Sequence, residues 1–371
     1  MPKPEYAVVP CDILEQFMID VFMRYDVPEE DARICADLLI TSDKRGIDSH
    51  GISRFKTIYL DRIKTGQINP KTHFEVVRET MTTAVVDGHN GMGHVIGKKA
   101  MTMTIEKAKK TGMGMTAVRH SNHYGIAGYY ALMAIRENMI GITGTNARPS
   151  VAPTFGVEPM MGTNPLTFGI PTDEDFPFVL DCATSLAQRG KIELAARLGK
   201  PVPEGWIINQ EGKTETDAEL ILKELVAGTA ALVPLGGIGM ESSGHKGYGY
   251  TAVVEILSAA LQGGAFLKML NGLDEQKNPQ KYNLGHFFMA IDIAAFTEPA
   301  EFKKTAGDIC RALRNSKRAP GEDRIYTAGE VEYETWLERK DKGIPVDTAL
   351  QKQLIALRDE NQLTQYKFPF E

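Results

Sequence analysis

Between residues 82 and 181 the chain alternates short β-rich runs with helical stretches, and this alternation most limits what it can fold into. TTAVVDG (82–88) reads as a strand, a helix follows near 94–111, and MGMTAVR (113–119) is a second strand. A helix over about 126–138 leads into IGITGT (140–145), with further strands expected at LTFGIP (166–171) and PFVLD (177–181). A helix rich in small and apolar residues follows KGYGY (246–250), and HFFMAIDI (286–293) reads as a final core strand. Strands and helices in turn argue for an α/β domain. The first 70 residues are different. Ile13, Phe17, Val21 and Phe22, then Ala32, Cys35, Ala36 and Leu39, fall at helical spacing, and a third helix carries Ile58, Leu60 and Ile63. KTGQINP (65–71) has the Gly and Pro punctuation of a boundary. After Pro299 the tail is mostly polar and helical, which suits a return to the N-terminal helices.

The overall balance narrows the function classes. A formal net charge of −6 argues against a nucleic-acid partner, which ordinarily needs a basic face. It does not forbid an anionic small molecule, because a local cationic pocket survives a mildly acidic average. Cys11, Cys35, Cys182 and Cys310 are scattered without paired spacing, so neither a disulfide framework nor a zinc knuckle is expected. MPKPEYAVVP lacks the apolar core of a signal peptide, and no apolar run reaches membrane-spanning length. A cytoplasmic protein without a membrane partner is the expectation.

VVDGHNGMGHVIGKKAM sets Gly91, Gly93 and Gly97 between an expected strand and an expected helix, the context of a dinucleotide fingerprint. The match fails on two counts. Its spacing is G-x-G-x-x-x-G, and the next strand ends on Arg119 and His120 rather than on a carboxylate able to hold a ribose. Arg119 answering a ribose phosphate keeps a Rossmann alternative open. The preferred reading is a glycine-rich turn that lets a helix pack closely on a strand.

Several segments concentrate groups able to do chemistry. DSHGISR (48–54) brings together a hydroxyl, an imidazole and a guanidinium. Arg54 could grip a carboxylate bidentately, as a lysine would do less well. Ser49 and His50 could hydrogen-bond a carbonyl or hydroxyl, although Ser49 could equally cap a helix. RHSNHYGIAGYY (119–130) lies where a strand ends and a helix begins, the usual place for a site in an α/β protein. Its histidines have no acidic or cysteine neighbour and no HExxH pattern, so no metal is expected there. A histidine such as His123 is a natural proton carrier. Thr184 and Ser185, ahead of an expected helix, and Lys246 in SSGHKGYGY are candidates for holding a diphosphate, with plain N-capping as the alternative. No phosphate loop and no G-x-S-x-G elbow occurs, which disfavours a nucleoside triphosphatase or an α/β hydrolase.

In their order along the chain, SHGISR, HYGIAGYY, GTNPLTFGIP, DCATSLAQRGK, HKGYGY and APGEDRIYTAGE resemble the second-type malate/L-lactate dehydrogenase family, over about residues 8–335. That family includes malate, lactate, ureidoglycolate and sulfolactate dehydrogenases and diketogulonate reductase, and is unrelated to the Rossmann-fold malate and lactate dehydrogenases. The resemblance implies a helical domain from both chain termini packed on a non-Rossmann α/β domain with a mixed sheet. Here that sets residues 1–72 plus 296–371 against 73–295. It also implies a nicotinamide cofactor, NAD or NADP, lying between the parts, and a homodimer. His123 matches the proton acceptor of some members and His50 a proposed acid in others, so the assignment between them stays open. Arg54 matches the arginine that holds the substrate carboxylate. Asp181, Ala183, Thr184, Ser185, Lys246 with Gly247, and Gly329 with Glu330 match cofactor contacts. PLGGIGMESSGHKGYGY is longer than in the shorter members, which sets the surroundings of Lys246 apart.

The reaction so implied is hydride transfer between the cofactor and a small 2-hydroxy or 2-keto acid, malate and oxaloacetate first. Lactate, ureidoglycolate or another keto or imino acid on the same scaffold is the alternative, because fold does not fix substrate. A catalytically silent metabolite-binding protein is the rival from another class. The joint presence of Ser49, His50, Arg54, His123 and Lys246 argues against it.

Overall fold

The computed structural model describes residues 6–371. After strand β1 (Tyr6–Val9) come two amphipathic helices, α1 (Cys11–Arg24) and α2 (Glu29–Lys44). Each has a proline at its N-cap, where the missing N–H removes no helical bond. Glu29, Glu30 and Asp31 add negative charge in the first turn of α2, favourable at the positive end of the helix dipole. The chain then passes through a 3-10 turn (Ile52–Arg54) and a π-helical turn (Phe55–Leu60) into the short α3 (Asp61–Lys64). Apolar spacing predicts an ordinary helix here. The π turn adds a residue to the winding, a feature found frequently at functional sites.

The α/β part runs β2 (Glu75–Glu79), β3 (Thr83–Asp87), α4 (Gly93–Thr111), β4 (Met113–Ser121), α5 (Gly128–Arg136), β5 (Met139–Thr145), β6 (Leu166–Ile170) and β7 (Phe178–Cys182). A smaller lobe follows, with α6 (Arg189–Arg197), β8 (Ile207–Asn209), α7 (Ala218–Ala227) and β9 (Ala230–Leu232) around Val151, Ile192, Ile221 and Leu232. Then come α8 (Gly244–Ala259) and β10 (Leu284–Asp292). The seven-stranded sheet has the order β2-β3-β4-β10-β5-β6-β7. Only β3 and β4 are parallel neighbours; β10 inserts between β4 and β5, antiparallel to both. Alternation of strands and helices by itself favours a parallel sheet, so the mixed order is a tertiary outcome.

The tail comprises α9 (Pro299–Arg314), α10 (Glu330–Lys342), β11 (Ile344–Asp347) and α11 (Thr348–Glu360). β11 pairs antiparallel with β1, a strand pair that the polar helical reading of both ends misses. Ile344, Val346, Leu354 and Phe368 join Leu14, Phe17, Phe22 and Cys35 in one buried cluster. α9 goes elsewhere. Its Lys303 reaches Asn138, and its Arg311 pairs with Asp173 at 2.9 Å, both on the α/β side. The return to the N-terminal helices therefore begins at α10, whose Arg339 donates to the carbonyl of Asp43 at 2.7 Å. All four cysteines are free, and among the described residues no helix is long and apolar enough to cross a membrane.

Candidate active site

β3 and β4 run parallel, and the loops leaving their C-terminal ends carry His94, in the first turn of α4, and His123, two residues beyond β4. The helical part faces these loops with the segment 47–54 and the π turn. Asp43 builds that segment from below. Its buried carboxylate accepts the Ile52 N–H at 2.8 Å, and Gly51 has no Cβ because one would sit 1.9 Å from Asp43 Oδ1. Burial holds the Asp43 carboxyl well above the usual carboxylate range.

Three histidines and a tyrosine form the centre. The His50 and His123 rings stack with centroids 5.5 Å apart. Tyr59 Oη lies 2.6 Å from His123 Nδ1 and 2.8 Å from His94 Nε2, so one hydroxyl bridges two imidazoles. The Gly125 N–H also donates to His123 Nδ1, at a longer 3.3 Å. Ser49 Oγ lies 2.9 Å from His50 Nδ1. Ser49 is therefore not a helix cap; Gly51 occupies that position. Burial is the main cause that lowers all three imidazoles. His94 falls to about 3, and His50 to about 4 with help from the Arg54 charge. His123 lies well below 6.5, where the charges of His50, His94, Arg62 and Arg54 add to burial. All three are neutral at neutral pH.

The proton chain has two polarities. With the Tyr59 hydroxyl donating to His123 Nδ1, as the Gly125 contact favours, the His123 proton sits on Nε2. Reversed, His123 donates through Nδ1 and Tyr59 donates to His94, which leaves a lone pair on Nε2 free to receive a proton. Neither polarity carries net charge, but the reversed one takes the acceptor from the Gly125 N–H and leaves the proton of His94 on a buried Nδ1 that has no hydrogen-bond partner, so the first is the resting arrangement.

Arg54 stands at the rim. Its Nε donates to the Ser49 carbonyl at 2.7 Å, and its Nη2 lies 3.8 Å from Glu193 on α6. The RGK stretch that follows DCATSLAQ thus reaches the SHGISR segment, a meeting that sequence reading does not foresee. Arg62, on α3, lies 4.1 Å over the Tyr282 ring, and among the described residues no carboxylate is within ion-pair reach of it. Tyr59, His94, Arg62 and Glu193 are the residues that sequence reasoning misses. Only the π turn hints at Tyr59, and a π turn is not legible in apolar spacing.

The residues matched to cofactor contacts fall on both sides of the end of β7. Asp181 and Gly329 line a groove of about 320 Å³, together with Ile126, Gly128, Val179 and Glu332. Asp181 Oδ2 accepts the Gly128 N–H at 2.6 Å at the start of α5, and Oδ1 accepts from Thr167 at 2.9 Å. Gly329, at φ 91°, has Val179 N only 3.0 Å from where a Cβ would stand. Glu330 is turned inward, accepting the Thr327 N–H at 3.0 Å, and Glu332 takes the place at the groove. Ala183, Thr184 and Ser185 are buried. Two expectations are corrected here. Helix α6 begins at Arg189 rather than after Ser185, and the two hydroxyls donate inward, Thr184 to the Asn164 carbonyl at 2.9 Å and Ser185 to the Ala187 carbonyl at 2.7 Å. Lys246 stands exposed in the first turn of α8, so KGYGY lies inside that helix rather than before it. Gly247 is a packing glycine, with Leu235 O 2.0 Å from its missing Cβ.

The apparent fingerprint is a packing turn. A Cβ on Gly93 would stand 2.3 Å from the carbonyl oxygens of Asn122 and His123, and one on Gly97 would meet the Tyr130 ring at 2.7 Å. Arg119 is tied to the protein, its Nε to Asp87 at 2.9 Å and its Nη1 to the Gln262 carbonyl at 3.3 Å. These glycines let α4 approach the loop that carries His123.

Comparisons with known proteins agree with this architecture. The family model described as malate/L-lactate dehydrogenase matches residues 9–355. Malate dehydrogenase of Pyrococcus abyssi is 46% identical over 341 residues, 92% of this chain and 91% of that protein. L-sulfolactate dehydrogenase of Methanocaldococcus jannaschii is 39% identical over 347 residues, 93% of this chain and 95% of that protein. The crystal structure of malate dehydrogenase from Entamoeba histolytica superposes with a TM-score of 0.94 at 47% identity, covering 98% of this chain and 100% of that one.

Proposed function

Because the chain belongs to the malate/L-lactate dehydrogenase family, we propose that it interconverts a 2-hydroxy dicarboxylic acid, malate first, and its 2-keto acid, using NAD or NADP. The observation that carries the dicarboxylate is the pair Arg54 and Arg62. Both cations lie close enough to His123 to depress its pKa, and Arg62, though burial lowers its own pKa, has no acidic partner among the described residues. A largely desolvated guanidinium without a counter-ion is unfavourable alone, and a second substrate carboxylate would supply one. Arg54 takes the carboxylate beside the hydroxyl, displacing the loose Glu193 contact; Arg62 takes the far one.

His123 is the proton carrier in this reading. For oxidation its Nε2 receives the hydroxyl proton while Nδ1–H donates to Tyr59, and stacking on His50 fixes the ring plane. Ser49 and His50 stabilise developing charge on the oxygen. A bound nicotinamide ring supplies the hydride acceptor. The groove beside Asp181 fits part of a dinucleotide, being concave and of the volume usual for such sites. Lys246 adds a cation on the far side of the β7 end.

The test is selectivity. Arg62→Met keeps the apolar stem and removes the charge-assisted hydrogen bonds, each worth roughly 1.5–3 kcal/mol. The kcat/KM for oxaloacetate should fall roughly 10–100-fold while that for pyruvate hardly changes. Equal losses on both keto acids would remove the dicarboxylate from the proposal.

The homodimer belongs to the same reading. α8 exposes Tyr250, Val253 and Ile256 at helical spacing, continued by Leu261, Phe266 and Met269. A helix apolar on its outer side as well as its inner one is normally covered, and one stripe meeting its own copy across a two-fold axis satisfies both surfaces. Light scattering should give twice the chain mass, and Ile256→Asp should halve it. A monomeric wild-type protein would end this part of the proposal.

A further inference from the structure

A second cluster of ligating side chains lies outside this site, at the open edge of the large sheet. β2 is the edge strand and pairs with β3, Glu75 opposite Asp87. Two residues outward on each side stand His73 and His89, whose rings stack at 4.5 Å and 19°. His73 and Glu75 are two residues apart, which in extended chain turns both side chains to one face. Glu75 Oε2 lies 2.7 Å from His89 Nε2. One ligand atom from each of the three residues falls within 4.8 Å of the others. The loop holds His89 firmly. Its φ of 46° lies in the left-handed region, and its backbone N–H donates to Asp87 Oδ1 at 3.0 Å. The same Asp87 oxygen is 3.9 Å from His89 Nδ1, and Asp87 is itself fixed by Arg119 and His120 at 2.9 and 2.8 Å.

We propose that His73, Glu75 and His89 form a binding site for a divalent transition-metal ion, zinc first. Two imidazoles and one carboxylate suit zinc, nickel or copper, whereas magnesium and calcium prefer oxygen ligands throughout. Three protein ligands leave a fourth position to water. Asp87 Oδ1, 3.9 Å from Nδ1, is too far for a hydrogen bond as the ring stands, but it faces the nitrogen that an ion on Nε2 would leave free to donate. The His89 and Glu75 side chains are 39% and 49% exposed, so the ion exchanges directly with solvent. Bound there, it ties the exposed edge strand to the turn after β3 and stabilises the folded form that alone presents all three ligands. The inference departs from the expectation of no metal for a physical reason. Cross-strand register brings the ligands together, although Glu75 and His89 are 14 residues apart in the chain.

The test uses the intact protein, stripped with chelator and titrated with Zn2+ by calorimetry and with Co2+ by visible absorption. One ion per chain should bind. His73→Ala and His89→Ala should each weaken it by at least about 10²-fold, the upper end of what losing an outer partner of a ligand costs. Tm should rise with Zn2+ in the wild type and stay unmoved in either variant. Dehydrogenase turnover of both variants should match the wild type, since neither residue belongs to the site around His123. The proposal is overturned if no binding occurs up to millimolar Zn2+. It is equally overturned if affinity and the Tm response survive both substitutions, which would put the ion on His50 and His123 or on scattered surface groups.

Discussion

His123→Gln should lower the turnover of 2-keto acid reduction by roughly 10²–10⁴-fold, the usual worth of a general acid–base group, with cofactor affinity largely retained. Glutamine keeps a donor and an acceptor for Tyr59 and Gly125 but cannot carry a proton. Tyr59→Phe should fall between this variant and the wild type, because it removes the hydroxyl that sets the tautomer and leaves the imidazole in place. Near-normal turnover in His123→Gln would move the proton to His50. The pH profile separates the two histidines independently. Both imidazoles are lowered, mainly by burial, so each stays neutral and able to accept a proton below the ordinary 6.5. The acid limb of kcat/KM for hydroxy-acid oxidation, which reports the free enzyme, should therefore lie below 6.5 rather than at neutral pH. A limb near 4 that persists in His123→Gln would identify His50. A limb above 6.5 would contradict the lowering that desolvation imposes on both imidazoles.

Arg54→Lys should cost about 10²-fold or more in kcat/KM for a 2-keto acid, beyond what loss of charge explains, because charge is not lost. A planar guanidinium offers two parallel donors, and here one edge is already set by the Ser49 carbonyl, so the remaining donors are pre-aimed. An ammonium would keep the charge and lose the aim. Cofactor binding alone should hardly change. Converting the substrate carboxylate to an amide should cost most of the rate in the wild type and little more in the variant, the non-additivity expected of a direct contact. Additive losses would make Arg54 structural, with Glu193 as its partner, and Glu193→Gln would then reproduce the loss. If Arg54 binds substrate, Glu193→Gln should instead leave kcat intact and lower KM, since a competing carboxylate has gone.

Much of the architecture is legible along the chain because its cause is local. Apolar residues three and four apart in 13–22 and 32–39 can bury only as helices, and α1 and α2 follow. Runs such as MGMTAVR and IGITGT recur where β4 and β5 stand, and the glycines at 91–97 read correctly as packing because their spacing and the next strand end lack what a dinucleotide needs. Other features depend on partners far away. Nothing near residues 6–9 announces that they pair with 344–347, and nothing near 284–292 announces insertion between β4 and β5. Thr184 and Ser185 show the same limit at the scale of a side chain. Their type suggests an open phosphate seat, yet the carbonyls of Asn164 and Ala187 take both hydroxyls.

The sequence by itself determined the parts list: a histidine after a strand, a Ser-His pair with an arginine five residues on, an acidic residue closing a strand, and the helical ends that frame an α/β middle. Tertiary structure decided how those parts act. It joined His123 to Tyr59, 64 residues away, and Tyr59 to His94, 35 residues away, and it set Arg62 beside them with no counter-ion among the described residues. The division has a plain physical reason. Periodicity and turn chemistry act over a few residues and are written in the chain. A shared proton or a desolvated charge depends on which buried faces meet, and that is fixed only when the core closes.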